Sequence, residues 1–179
     1  MQKRNLLHHE LLEITILRLC QQLIENHGDF ENSVILGLQP RGSHLARIVQ
    51  QKLKGLTNID VPLGYLDTTF HRDDFRRRDT PITANQTDIP FLLEDKKVIL
   101  IDDVLFTGRS VRAAMDAMIA FGRPLTVELL VLVNRRYSRD LPIEPKYTGR
   151  NVNTIKSQKV LVEWKDQGAN ENSVWLIDN

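Results

Sequence analysis

Three short stretches of this chain are apolar at nearly every position: Ser33–Leu38 (SVILGL), Val98–Ile101 (VILI) and Val127–Val133 (VELLVLV). A strand with one wet face alternates apolar and polar side chains. A run without alternation therefore reads as a strand covered on both faces. The intervening segments supply the cover. Leu12, Ile16, Leu19 and Leu23 recur at helical spacing over residues 8–26, widened by Leu17, Cys20 and Ile24, and Gly28 is a natural stop. Leu45, Ile48, Val49 and Leu53 give a second amphipathic helix closed by Gly55. Val111, Ala114, Met115, Met118 and Phe121 face inward on a third, over 107–121, ended by Gly122 and Pro124. Residues 59–70 read as a further strand, with Pro62 suggesting an edge or a bulge. Residues 134–159 read as irregular, and 160–164 with 173–177 as a terminal β-hairpin around DQGANEN. Buried strands alternating with helices predict an α/β fold with a mainly parallel sheet flanked by helices. In such sheets ligands bind at the carboxyl ends of strands.

The 179 residues are expected to form one domain, 1–179, with a long polar mobile loop at 71–90. Lysine and arginine total 24 against 23 acidic residues, so any nucleic-acid contact must come from a local patch. The lone Cys20 excludes an intrachain disulfide and a cysteine metal cluster, and points to a reducing compartment. Glu10, Glu13 and Thr15 interrupt the apolar N-terminal stretch, so neither a signal peptide nor a membrane span fits, and a cytoplasmic protein is expected. The histidines at 8, 9, 27, 44 and 71 have no ligand or dyad spacing and read as surface or helix residues.

Two strand-to-helix turns carry chemistry. After the apolar run at 98–101 come Asp102 and Asp103, then Val104, Leu105, Phe106, Thr107, Gly108, Arg109 and Ser110. Backbone N–H groups at a helix start, with the Thr107 and Ser110 hydroxyls, cradle a phosphate monoester, and Gly108 allows close approach. The two carboxylates upstream suit sugar hydroxyls or a hydrated Mg²⁺. Phosphate at one end and diol acceptors at the other describe a ribose 5-phosphate. The other turn, Gly37–Gly42, has Walker A glycine spacing. Ser43-His44 follow where Lys-Ser/Thr should stand, so the P-loop reading fails; a turn presenting N–H groups and Arg41 to an anion remains. His71-Arg72-Asp73 echoes a kinase catalytic loop, but no partner motif accompanies it.

The string Val98–Ser110 resembles the phosphoribosyl pyrophosphate (PRPP) motif of type I phosphoribosyltransferases. Leu38–Gly42 resembles that family's pyrophosphate loop, and Thr69–Asp74 the start of its mobile catalytic loop. Gly122-Arg123-Pro124, Leu141-Pro142-Ile143 and the stretch from Tyr147 through Gly149-Arg150-Asn151 to Lys159-Val160 narrow the likeness to the PyrR family of pyrimidine operon regulators and uracil phosphoribosyltransferases. The resemblance implies the type I phosphoribosyltransferase fold and the conversion of uracil and PRPP to UMP and pyrophosphate. It implies Asp102, Asp103 and Arg72 as catalytic, 104–110 as the phosphate loop, and Arg41 and Gly42 at pyrophosphate. Val152, Asn153 and Thr154 would hold the nucleobase. Mg²⁺ would be held through PRPP and water, without a dedicated protein ligand. It further implies a homo-oligomer (dimer or tetramer) and a UMP- or UTP-responsive messenger RNA leader stem-loop as a partner, touched by Arg18 and Arg150. Against that second role, Leu17 and Gln21 stand where Thr and His are expected, Pro40 where a Thr precedes Arg41, and Glu144 where a basic residue is expected. Such replacements weaken phosphate binding, so the enzyme is favoured over the attenuator.

Overall fold

A computed structural model describes residues 3–71 and 86–178. The chain runs β1 (Lys3–Leu7), α1 (His9–His27), β2 (Ser33–Leu38), α2 (Gly42–Thr57), β3 (Leu63–Leu66), β4 (Lys97–Leu105), α3 (Arg109–Met118), β5 (Thr126–Arg136), β6 (Tyr147–Asn153), β7 (Gln158–Glu163) and β8 (Ser173–Asp178). Five strands form a parallel sheet in the order β3-β2-β4-β5-β6. The other three form an antiparallel sheet, β1-β8-β7.

The unbroken apolar runs are explained by two cores, one on each face of the parallel sheet. Ile35, Ile99, Ile101, Leu130 and Leu132 point to one side, where α1, α2 and the small sheet cover them. Val34, Leu36, Val98, Leu100, Leu129 and Val131 point to the other, against α3. Successive strand residues thus enter opposite cores. Full burial of each such aliphatic side chain contributes about 1.5–3 kcal/mol.

Several expected boundaries move. β4 continues through Asp102 and Asp103 to Leu105, because β5 pairs with it along that whole length. α2 passes through Gly55, around which space is open, and stops at Asn58 in the left-handed conformation (φ 59°). The strand expected over 59–70 shrinks to the four edge residues of β3. Met115 is 44% exposed, so α3 turns Ala113 and Ala117 inward instead. The segment 134–159 is not irregular throughout: β6 occupies 147–153 as the edge strand beside β5. As an edge strand it buries only Tyr147 and Val152, so its sequence carries no apolar run. His27, read as a surface or helix residue, is the last residue of α1 and is buried, with Nδ1 2.9 Å from Ser33 Oγ and Nε2 2.9 Å from Glu128. Among the described residues no helix is long and apolar enough to cross a membrane.

Candidate active site at the carboxyl end of the parallel sheet

β2 and β4 are neighbours, Gly37 lying opposite Ile101, so the turns that follow them share one end of the sheet. Two glycines let α2 start directly against β4. A Cβ on Gly37 would stand 2.8 Å from Ala46 Cβ. One on Gly42 would stand 2.5 Å from the Ile101 carbonyl and 2.9 Å from Asp102 Cα. The anion-binding turn is thereby pressed onto the acidic pair.

Asp103 is 4% exposed, and its Oδ2 has no hydrogen-bond partner among the described residues. Among the described residues its ion-pair partner is Arg41, whose Nη1 lies 3.9 Å away on a side chain that is itself half-exposed. The Asp103 backbone N–H donates to Asp102 Oδ1 at 2.9 Å. Burial pushes the Asp102 carboxyl well above the ordinary range, and the neighbouring Asp103 adds to that. Burial also raises Asp103, against the opposing pull of Arg41. Two adjacent carboxylates, one with an unpartnered buried oxygen, are built to accept hydrogen bonds from a ligand.

Val104 and Leu105 still belong to β4, and Leu105 is buried in the α3-side core. The loop proper starts at Phe106. Gly108 takes φ 92°, and its carbonyl accepts from Arg112 N–H at 3.0 Å as α3 begins. Thr107 Oγ1 accepts from Arg109 N–H at 3.4 Å. The Thr107 carbonyl accepts from the N–H groups of Asp140 and Leu141, which ties the loop to the segment beyond β5. The first turn of α3 holds no acidic side chain, so nothing there repels an anion at its N-terminus.

Parallel pairing carries the site sideways. Leu105, Asn134 and Asn151 lie opposite one another across β4, β5 and β6. The expected nucleobase segment therefore lies at the same sheet end as the phosphate loop. Val152 is buried in the α1-side core, Asn153 is exposed, and Thr154 is buried, its Oγ1 accepting from Arg135 Nε at 2.9 Å. The residues that sequence reasoning missed are Arg135, Arg139 and Asn134. The Arg135 guanidinium lies 3.8 Å over the Phe106 ring. Arg139 donates to the Phe106 carbonyl and, at 2.6 Å, to Asn134 Oδ1. Within a polar segment with three arginines, no spacing singles these out.

Arg18 donates to the Gly149 carbonyl at 2.5 Å, and Arg150 to the Leu6 carbonyl. Arg18 thus ties α1 to β6, and Arg150 ties β6 to β1. Arg72 lies outside the described residues. An open cleft of about 380 Å³ flanks the Arg41 turn, lined by Gln39, Pro40, Ser43, His44, Arg47 and Tyr65. Among the described residues no three His, Cys, Asp or Glu side chains cluster to hold a metal. The unpartnered Asp103 oxygen suits a sugar hydroxyl or a water of a hydrated cation, which fits Mg²⁺ arriving with a ligand.

Residues 2–167 match the model of the phosphoribosyl transferase domain. The chain is 38% identical over 167 residues to a protein of Enterococcus faecalis named bifunctional protein pyrR, covering 93% of each. It is 42% identical over 147 residues to a bifunctional protein PyrR of Geobacter sulfurreducens, covering 82% of each. Among solved structures it resembles a hypoxanthine-guanine phosphoribosyltransferase of Bacillus anthracis, with a TM-score of 0.70, 15% identity and 99% of each chain covered. It also resembles a hypoxanthine phosphoribosyltransferase of Trypanosoma cruzi, with a TM-score of 0.72, 13% identity, 98% of this chain and 96% of the other covered. At that identity these structures speak for the fold alone.

Proposed function

The chain belongs to the phosphoribosyl transferase family and, within it, to the PyrR proteins, and on that premise we propose that it transfers the phosphoribosyl group of PRPP to uracil, giving UMP and pyrophosphate. The observation that carries this reading is the adjacent Asp102–Asp103 pair, Asp103 buried with an unpartnered oxygen, at the head of the Thr107–Ser110 turn. That turn supplies N–H and hydroxyl groups for the 5-phosphate. The two carboxylates accept the 2′ and 3′ hydroxyls and stabilise positive charge as the anomeric bond breaks. Arg41, facing Asp103, meets the negative charge that builds on the departing pyrophosphate. Mg²⁺ bound with PRPP supplies further neutralisation of that charge. Val152–Thr154 hold the pyrimidine. Arg72 is assigned to the leaving group by resemblance. The protein acts in the cytoplasm as a homo-oligomer, a dimer or tetramer.

A second reading is favoured by the relatives' description as bifunctional: a UMP- or UTP-responsive binder of a messenger RNA leader stem-loop, with little or no turnover. Arg18 and Arg150 each spend donors on backbone carbonyls, which supports the enzyme as the primary activity.

The test offers uracil, hypoxanthine, guanine and orotate in parallel to the purified protein with PRPP and Mg²⁺, beside an Asp103→Asn control. UMP formation from uracil alone, lost in the control, is expected. No turnover with any base overturns the transferase and leaves the RNA reading.

A further inference from the structure

Residue 106 is gripped at both ends. Arg135, the penultimate residue of β5 and 5% exposed, stacks its guanidinium on the Phe106 ring at 3.8 Å. Arg139 holds the Phe106 carbonyl and is braced by Asn134, which in turn donates to Asn151 Oδ1 at 3.0 Å. Phe106 stands between Asp103 and Thr107, so this grip acts on the phosphate loop itself. The same Arg135 guanidinium reaches the other way. Its Nε donates to Thr154 Oγ1 at 2.9 Å and its Nη2 to the Ile155 carbonyl at 3.1 Å. A buried guanidinium is costly unless its donors are used, and a planar fork satisfies several partners at once, which a lysine cannot do.

The bond to Thr154 has a directional consequence. A hydroxyl holds one proton and two lone pairs. Arg135 uses a lone pair, and no described residue accepts the proton. Thr154 is 7% exposed, so little water reaches that hydroxyl. One lone pair remains, but an unmet buried proton costs more than an idle lone pair, so this hydroxyl is best served by an acceptor. In the base-holding segment, the acceptor of matching chemistry is a ring carbonyl oxygen.

We infer that Arg135 is a positioning residue that fixes the nucleobase segment to the phosphate loop and turns Thr154 into a hydrogen-bond donor, so that the site selects a pyrimidine carrying a carbonyl group over one carrying an amino group at the same ring position. This rests on the transferase reading above. It adds to that reading a residue that touches neither reactant and yet sets which base is accepted.

The experiment measures equilibrium binding of UMP and CMP by calorimetry, with turnover as a separate readout, for the wild-type protein, Arg135→Lys, Thr154→Val and the double variant. The ratio of the two affinities cancels any shared effect on the phosphate. The wild-type protein is expected to prefer UMP, and Arg135→Lys to lose about tenfold of that preference, the scale of one hydrogen bond to a buried partner. In the Thr154→Val background the Arg135→Lys change is expected to leave the ratio unaltered, because the two act through one contact. Phe106→Leu, which removes the ring beneath the guanidinium but no donor, is expected to shift the ratio in the same direction and keeps the test available if Arg135→Lys fails to fold. UMP binding with an unchanged ratio in Arg135→Lys and Phe106→Leu overturns this inference alone. Absence of UMP binding and turnover in the wild-type protein overturns the transferase reading together with it.

Discussion

Adding a single methyl group at Gly42 tests whether the anion turn and the acidic pair are one rigid unit. The new Cβ of Gly42→Ala would lie 2.5 Å from the Ile101 carbonyl oxygen, about 0.9 Å short of the 3.4 Å at which ordinary contact begins. The two nearest obstructing atoms are backbone of β4, not the end of a flexible side chain. Relief therefore requires α2 to move off the sheet or β4 to bend. Overpacking of this kind costs about 1–3 kcal/mol. At about 2–4 °C per kcal/mol for a chain of this size, the melting temperature falls by about 2–12 °C. The larger effect is on rate. A displacement of about 1 Å between groups that must meet on one substrate lowers activity by about 10²-fold. Thermal unfolding by circular dichroism and steady-state UMP formation read the two effects separately. A variant within 1 °C of wild type, as an order-of-magnitude threshold against the expected shift, and with unchanged kcat/KM would refute the close-approach argument.

Asp102→Asn is expected to abolish turnover yet raise stability at neutral pH. A carboxylate held above its ordinary value binds more protons folded than unfolded, so stability falls as pH rises from about 4 through the raised value. Melts at pH 4 and pH 8 should show the variant's advantage opening at the higher pH, and an equal gap at both would contradict it. Glu128→Gln follows the opposite sign: burial opposes its charge, but bonds from Lys146, Tyr147 and His27 outweigh it and lower its pKa, so its contribution is present above pH 4.5 and lost on acidification. Glu128→Ala leaves Tyr147 and His27 without that partner and should cost about 1–3 kcal/mol in urea unfolding, with activity retained because the network lies at the far end of the sheet. Arg41→Gln should lower kcat more than it raises the KM for uracil, since Arg41 faces Asp103 and not β6; equal changes in both would move Arg41 out of the leaving-group role.

The parts of the fold that sequence reveals are those where one physical demand dominates. β2 and the centre of β4 are apolar because both faces are covered, and their positions were readable to within a residue or so. The acidic pair and the Thr107–Ser110 turn were readable because chemistry fixes their order after a buried strand. β6 was hidden, because an edge strand with one neighbour has only two buried positions and a glycine pressed 2.4 Å (as a Cβ) against the Leu132 carbonyl. The Arg135–Phe106–Thr154 bridge was hidden for a different reason. Its members come from three strand ends, and only the parallel register of β4, β5 and β6 brings them together. The burial of His27 at the end of α1 was hidden because nothing in a lone histidine on a helix records the serine and glutamate that meet it from β2 and β5.

The antiparallel sheet has a consequence in time. β8 is its central strand, pairing β1 on one side and β7 on the other, with Lys3 opposite Ile177. During synthesis the strand at the middle of that sheet therefore emerges after both of its neighbours. Until β8 emerges, β1 lacks its one strand neighbour among the described residues, and Leu6, Leu7 and the α1 face lack part of their cover. Contacts between segments so far apart in sequence form slowly, because a long loop must close before they repay its entropy. Between the emergence of β1 and that of β8 the nascent chain thus carries an open strand edge beside an apolar surface, the condition under which strands of different chains pair with one another.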